Sequence, residues 1–403
     1  MPNTFQTIAQ GVGILKQYYQ GPIVDQFNNE MPIYRGAEKG KHKWSGLQVQ
    51  RPLKLKRHTG IGAVSDGGNL PSVGTAEVQQ ATIAAKFNYL RFGISGPMIK
   101  ASQGDVGSFV RSAAYLLEEG YKDLKSDVNR QLSWDGTGWL ARLSANVVSS
   151  NVLTIAGREA TEDADKFLDT GMSVDIVTAG GTIVASGLDI VSITGSGLSA
   201  TVTLSGNVTA SSGDYLIRAG SNNNEMQGLL TALDGGTSTI YGINRAVYRQ
   251  YQGNSLNANG SQLTLDLMQQ AYNLGLRRGG AKYSAIYCDF DSLRMYQKLL
   301  TADKRYVNTV KGDGGFAEKD KTFLDFNGIP VVADKDCPTR IFFLDDTAIE
   351  KYVLAELEFS DETGSMMIAQ VAADLFEVRL RLFANLFNAK PAACAVLRNY
   401  ISP

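Results

Sequence analysis

The stretch Asp105–Gly138, DVGSFVRSAAYLLEEGYKDLKSDVNRQLSWDGTG, constrains this chain more than any other. Phe109, Ala113, Leu116, Leu117, Tyr121, Leu124, Val128 and Leu132 recur at helical spacing and lay one apolar stripe along a single face. From Phe109 to Leu132 such a helix runs about 36 Å, at about 1.5 Å per residue. Asp105 and Ser108 are candidate N-caps, and Asp135-Gly136-Thr137-Gly138 supplies the turn chemistry that stops it. Glu118 precedes Lys122 by one helical turn on the opposite face, in the favourable orientation. The stretch reads as an ordinary core helix or as a backbone that carries flanking domains, and what lies on either side decides.

The chain of 403 residues has room for more than one domain and a substantial core. With 43% hydrophobic and 20% charged residues it has no signature of disorder. No apolar run is long enough for a membrane helix. The opening MPNTFQTIAQGVGILKQYYQ lacks the basic and apolar regions of a secretory signal. Cys288, Cys337 and Cys394 have no metal-ligand spacing, which points to a reducing compartment. The net charge of −1 hides an asymmetry: residues 1–60 hold nine bases and three acids, a net of +6, so the remainder sums to −7. Within it, residues 341–377 hold nine acids against the single base Lys351, a net of −8. Blocks like these bear on association more than on fold.

Before the long helix, Ile8, Val12, Leu15 and Tyr19, then Ile23, Val24 and Phe27, suggest two short helices in an arm that docks elsewhere. Leu47–Arg57 alternates apolar and polar residues as a half-exposed strand, with Pro52 confining it to an edge or bulge. A second extended run, Ala81–Ser95, would pair with it as a long hairpin whose broad tip, Thr59–Thr75, is rich in Gly and Ser. Such a hairpin is marginal alone and needs a partner surface.

After the helix, short β runs at 152–155, 172–178, 182–185, 188–194, 200–204 and 215–218 predict a small all-β sandwich or barrel. Gly195-Ser196-Gly197-Leu198-Ser199-Ala200 matches a loose dinucleotide pattern, but it leads into a strand and reads as a hairpin turn. Residues 220–350 return to mixed α/β, with a helix capped by Ser261 and a strand at 283–288. The C-terminal part reads as a meander whose last strand puts Phe376, Val378, Leu380, Leu382 and Leu386 on one face and Glu377, Arg379 and Arg381 on the other.

Chemistry is sparse. His42 and His58 are the only histidines, and neither has the context of a catalytic triad. There is no phosphate-binding G-x-x-x-x-G-K loop, no H-E-x-x-H and no C-x-x-C. Asp345-Asp346 or Glu356/Glu358 could pair as acid and base, and Lys54, Lys56, Arg57 and Lys86 with Phe87 and Tyr89 could contact single-stranded nucleic acid. The near-zero net charge and the acidic block argue against nucleic-acid binding as the main activity. No catalytic residue, cofactor or metal ligand is assigned.

The order of parts resembles the major capsid protein of tailed bacteriophages over nearly the whole chain. Arg130-Gln131-Leu132 followed by Asp135-Gly136-Thr137-Gly138-Trp139-Leu140-Ala141 is similar to the family's turn after its spine helix. Gly68-Asn69-Leu70-Pro71 is similar to an element of its extended loop, and Glu225-Met226-Gln227-Gly228-Leu229 to the re-entry into the A-domain. Phe326-Asn327-Gly328-Ile329-Pro330-Val331, then Asp334 and Cys337-Pro338, resembles a segment of the A-domain.

The resemblance implies an α+β tailed-phage major capsid fold. It would comprise an N-terminal arm (1–45), an extended E-loop hairpin (46–96), the spine helix of the P-domain (97–145), an inserted small all-β domain (146–219), an A-domain (220–350), and a P-domain sheet with the C-terminus (351–403). It further implies a non-enzymatic protein that self-assembles, as hexamers and pentamers, into an icosahedral head enclosing double-stranded DNA. The implied setting is a virion assembled in the host cytoplasm, without membrane. A separate scaffolding protein is expected because the arm starts at Met1, together with a portal, a possible decoration protein and weak non-specific DNA contact. The tip from Thr59 to Thr75 has no lysine, which speaks against the loop-lysine crosslinking of some relatives.

Two alternatives are an encapsulin-like compartment on the same fold and a carbohydrate-active enzyme with an appended β domain. The expected contacts between subunits are Lys54, Lys56 and Arg57 over Glu356, Glu358, Asp361 or Glu362 of a neighbour, with Leu70 and Phe87 in the same interface. Apolar burial by Leu53, Leu55, Ile83 and Phe87 would outweigh the exposed ion pairs, which are worth about 0–1 kcal/mol each.

Overall fold

The structure is a computed structural model that describes residues 31–97, 106–159, 161–301, 309–312, 316–318, 321–360, 367–369 and 374–402. The predicted arm helices, Asp361, Glu362 and the turn around them lie outside these residues. In chain order, α1 (Pro32–Gly36) and β1 (Glu38–Lys39) precede the paired strands β2 (Gln48–Lys54) and β3 (Val78–Ala84), and β4 (Lys86–Ser95) follows at once.

The long helix α2 spans Val106–Ser133, 28 residues. Of its stripe, Tyr121, Leu124, Val128 and Leu132 are buried; the side chains of Phe109, Ala113, Leu116 and Leu117 are outside the description. The helix stops where expected. The Asp135 carboxylate accepts from the Thr137 amide at 3.1 Å and its hydroxyl at 2.7 Å. Gly138 has φ +84°, and a Cβ there would meet the Ser221 carbonyl oxygen at 2.8 Å.

The next six strands, β5 (Trp139–Leu143), β6 (Val147–Gly157), β7 (Ser173–Val177), β8 (Ile183–Ser196), β9 (Ser199–Ala210) and β10 (Tyr215–Arg218), form a closed barrel in the order β10-β5-β6-β9-β8-β7. Leu140, Leu153, Ile155, Val174, Ile176, Val202, Leu204 and Leu216 fill it. Two expected short runs, 182–185 and 188–194, are the single bulged strand β8. The barrel also takes in β5, ahead of Asn146 where the β unit was expected to begin. Closure needs this strand, because β5 bridges β10 and β6. Gly195 to Ser199 is the β8–β9 turn, as read from the sequence.

Beyond the short helix α3 (Leu229–Leu233) and the small pair β11 (Thr239–Ile240) and β12 (Ile243–Asn244), a seven-stranded mixed sheet forms. It contains β13 (Asn254–Asn257), β14 (Ala285–Cys288), β15 (Thr309–Lys311), β16 (Thr322–Phe326), β17 (Ile329–Ala333) and β18 (Ile341–Leu344). The C-terminal β22 (Ala395–Arg398) lies between β13 and β18. Helices α4 (Leu265–Gly279) and α5 (Phe290–Thr301) accompany this sheet, and Met268, Ala271, Met295 and Tyr296 share its core with Ile286, Val331 and Phe343. Thr264, in place of the expected Ser261, caps α4 by accepting from the Leu267 amide at 3.1 Å.

Two expectations about strand pairing change. The run Ala81–Ser95 does not continue as one hairpin arm: it divides at Ala85. Val78–Ala84 pairs with β2, whereas Lys86–Ser95 pairs antiparallel with β21 (Leu375–Asn388). Ala85 is buried and donates to Leu47 O at 2.9 Å, closing the hairpin there. The C-terminal strands are also no simple meander. β19 (Ile349–Phe359) and β20 (Met367–Ala369) both pair with β21, which is central, while β4 takes its other edge. A fourteen-residue strand can hold two shorter partners end to end. Val378, Leu380, Leu382 and Leu386 of β21 are buried in the main core with α2, as the alternation implied, but Glu377 on the opposite face is also buried, paired with arginines.

Candidate assembly surfaces

The hairpin β2–β3 is anchored at its root and uncovered at its tip. Val49, Leu53, Leu55, Ala81 and Ile83 point to one side, as period-2 alternation requires, and pack on Tyr241, Ile243, Tyr251, Tyr352 and Phe387. Leu53, Leu55 and Ile83 therefore serve their own chain, and the expectation that they bury against a neighbour is corrected. They sit on the inward side, where the body of the protein covers them.

The root is also held by polar contacts. Glu77 takes hydrogen bonds from Lys56, Tyr248 and Gln79, and the Lys56 ammonium bonded to it holds the carboxyl down at about 2. Lys56 lies 5.4 Å from the centre of the Tyr248 ring. Beyond this latch the chain leaves the body. Ile61, Leu70 and Val73 are 81%, 84% and 101% exposed, an unusual state for large apolar residues that lie close together in sequence.

The remaining expected contact residues fall as follows. Lys54 and Arg57 are exposed beside the hairpin root. Phe87, 43% exposed, meets Phe383 edge-on at 4.9 Å on the outer face of the central sheet. Glu356 is 3.3 Å from Lys39, and Glu358 is 2.9 Å from Arg381. Arg51 pairs with Glu350 at 3.0 Å. Part of the complementarity between the basic N-terminal block and the acidic block is thus met inside one chain. This follows from the fold: β1 lies parallel to β19, and Lys39 reaches Glu356 of the same chain.

A buried polar knot, not expected from the sequence, joins Arg130-Gln131 to Glu225-Met226. Arg130, 2% exposed, is ion-paired with Asp127 and Glu225. Gln131 accepts from the Met226 amide at 3.0 Å and donates to Asn88 at 2.9 Å. Burial pushes the Glu225 carboxyl up, against the pull of Arg130. Asp127 is half-buried, and Arg130 and Arg218 hold its carboxyl below the usual range against the cost of desolvation. The knot fastens the end of α2 to the segment that returns from the barrel. A run of arginine and glutamine at the end of an apolar stripe was the only signal in the sequence.

The barrel is docked by its own contacts. Arg158 is paired with Asp135 and stacks over Trp134 at 4.1 Å. Arg340 pairs with Glu159, and Lys166 donates to Cys337 O at 2.7 Å. Glu162 lies in this junction, its carboxyl pushed up to about 7 by burial.

Catalytic candidates find no constellation. Asp345 is buried, accepting from the Thr347 and Lys282 amides, and caps a turn. Glu356 and Glu358 are ion-paired. Among the described residues no group of three or more His, Cys, Asp and Glu side chains is placed to hold a metal, and burial pushes all three cysteine thiols up.

No protein-family model matches this chain, and no curated relative matches it. Among solved structures it is similar to the capsid asymmetric unit of cyanophage A-1(L), at 14% identity and a TM-score of 0.55, covering 99% of this chain and 95% of that one. It is also similar to the capsid of the native GTA particle, at 10% identity and a TM-score of 0.49, over 91% and 89%. The SrpI encapsulin of Synechococcus elongatus follows at 10% identity and a TM-score of 0.42, over 81% and 78%. At such identities the likeness concerns the fold, and the cyanophage comparison carries it. The chain has the tailed-phage major capsid fold, mixed helix and sheet, built around α2.

Proposed function

We propose that this chain is a structural subunit that self-assembles, as hexamers and pentamers, into an icosahedral head shell enclosing double-stranded DNA. The observation that carries the reading is the likeness to a cyanophage capsid chain over 99% of the length. The anchored hairpin with an uncovered tip supports it: a tip that buries nothing of its own suits a repeated contact with another copy. In this reading β2–β3 is the extended loop, α2 the spine, the seven-stranded sheet the A-domain, and the β5–β10 barrel an inserted domain.

A scaffolding protein, a portal and a decoration protein would be its partners, with assembly in the host cytoplasm. DNA contact would be weak, since a near-neutral chain neutralises few phosphates. Lys54, Arg57, Leu70 and Phe87 remain the hairpin and sheet residues proposed to meet a neighbour, with Asp361 and Glu362 as acceptors. Lys56, Glu356 and Glu358 contribute while keeping their own-chain partners.

Electron microscopy with sedimentation of the recombinant protein, at low and high salt, tests the proposal. Closed shells or capsomer rings, reduced when Lys54 and Arg57 are changed to Glu, are the expected result. A monomer that hydrolyses a glycan would refute it, and shells filled with a cargo protein and no DNA would favour the encapsulin alternative.

A further inference from the structure

Five exposed bases gather where α4 ends. Arg277 and Arg278 lie in its last turn, and Gly280, at φ +61° in the left-handed region, turns the chain away. Gly279 lies against the Ala392 carbonyl, where a Cβ would collide. The turn Pro391–Ala393, with Lys390 before it, therefore sits beside the helix end. Arg278 donates to the Arg249 carbonyl at 3.5 Å, at the start of the turn Arg249–Tyr251. Lys282 follows Gly280 by two residues, and its amide donates to Asp345 at 2.9 Å. Arg249, Arg277, Arg278, Lys282 and Lys390 are all exposed.

Among the described residues none of the five has an ion-pair partner, whereas Lys39, Arg51, Lys56, Arg91 and Arg381 are all paired. The neighbouring acids are already engaged. Asp345 is buried and accepts from the Lys282 and Thr347 amides, and Asp234 pairs with Arg245. That leaves Asp346, half-buried, beside five cations. The end of a helix accounts for Arg277 and Arg278, whose charge complements its last carbonyls. It does not account for Arg249, Lys282 and Lys390, which other segments bring to the same place.

We infer that this patch is the surface on which the chain meets the phosphate backbone of duplex DNA. Guanidinium and ammonium groups pair with phosphate oxygens whatever the sequence, and each contact releases a counterion. A duplex fits better than a single strand, because none of the five is a ring on which unpaired bases could stack. An acidic protein fits less well, since protein interfaces centre on an apolar core. Leu276 and Val247 are the large apolar side chains exposed nearby, too few to make one. Five contacts also agree with weak binding by a chain of net charge −1, multiplied over the copies of a shell. This inference rests on the shell reading, and it assigns the DNA contact within that reading to named residues.

The test uses the full-length chain and a short fluorescent duplex of mixed sequence, with binding followed by anisotropy as sodium chloride is raised. Wild type is compared with Arg277→Glu plus Arg278→Glu and with Lys282→Glu plus Lys390→Glu. Lys41→Glu plus Lys43→Glu, both exposed, makes the same change of net charge elsewhere. Log affinity should fall with log salt by about 0.9 per phosphate contact, and each patch variant should lower that slope by about 2. Patch variants should also bind several-fold more weakly with an unchanged thermal midpoint, while the control keeps the wild-type slope. Should charge reversal lower the midpoint, Arg277→Gln plus Arg278→Gln reads the same slope. Equal slopes throughout, or tighter binding of a single strand of the same length, would overturn the assignment. Variants that lose shells under electron microscopy but keep the slope would give the patch to a contact between copies and overturn it too. A wild-type chain that forms shells yet binds no duplex at low salt would overturn the patch alone. One that does neither would overturn it together with the shell reading.

Discussion

At the scale of single residues, the tightest constraint is Arg130. Its guanidinium gives up solvation, and the two carboxylates of Asp127 and Glu225 compensate. Removing one member of such a buried group leaves an uncompensated charge, so Arg130→Ala should destabilise the fold by about 3–5 kcal/mol. Chemical denaturation checks this, and the exposed pair of Lys122 with Glu118 and Glu119 serves as a control near zero. Glu162 carries the opposite burden. Its folded-state value is raised to about 7 from 4.5, so the folded state binds the proton more tightly than the unfolded one. Stability therefore falls as pH rises between those values and is lowest above them. Glu162→Gln should stabilise the protein above pH 7 by an amount on the order of 3 kcal/mol, with little change near pH 4.5. Thermal midpoints across that range would show the two curves converging in acid. Neither role could be read from residue types alone, because Arg130 and Glu225 are 95 positions apart.

Elements were legible to the extent that their signals are local. The stop of α2 is written in Asp135 to Gly138 and falls where expected, and the described part of its stripe, Tyr121, Leu124, Val128 and Leu132, is buried as the spacing implied. Five of the six barrel strands were visible in the sequence, with β8 read as two runs and β5 missed. Which strand pairs with which was not. Nothing in Ala81–Ser95 marks Ala85 as the point where the chain leaves one partner and joins another, since both halves alternate equally well. Ser261 and Thr264 are equally good caps on paper, and only the backbone decides. The hairpin shows the same division in energetic terms. Its root shares a core with Tyr241, Tyr251 and Phe387, so Ile83→Ala should cost about 2–5 kcal/mol. Replacing the tip, residues 60–74, by a short glycine and serine turn should leave the thermal midpoint within about a degree and abolish shells, as calorimetry and sedimentation would report. A tip needed for folding would lower both.

For the whole molecule, summed charge was a poor guide to partners. The blocks of +6 and −8 suggested two surfaces meeting between copies, yet Arg51–Glu350 and Lys39–Glu356 close inside one chain, because β1 runs beside β19. The candidate surfaces were legible as composition, in the lysine-free, glycine-rich tip and in Phe87. The face made by Phe87, Tyr89 and Arg91 with Arg379, Arg381 and Phe383 needed the register of two strands nearly three hundred positions apart. One feature of the architecture also bears on how such chains diverge. The barrel is entered through β5 and left through β10, and these two strands are hydrogen-bonded neighbours, Ala141 opposite Leu216. The chain therefore departs and returns at points about 5 Å apart. A gene could gain or lose everything between them in one recombination event, with no other strand rewired. Related genes should accordingly differ greatly in length at this crossing and hardly at all along α2.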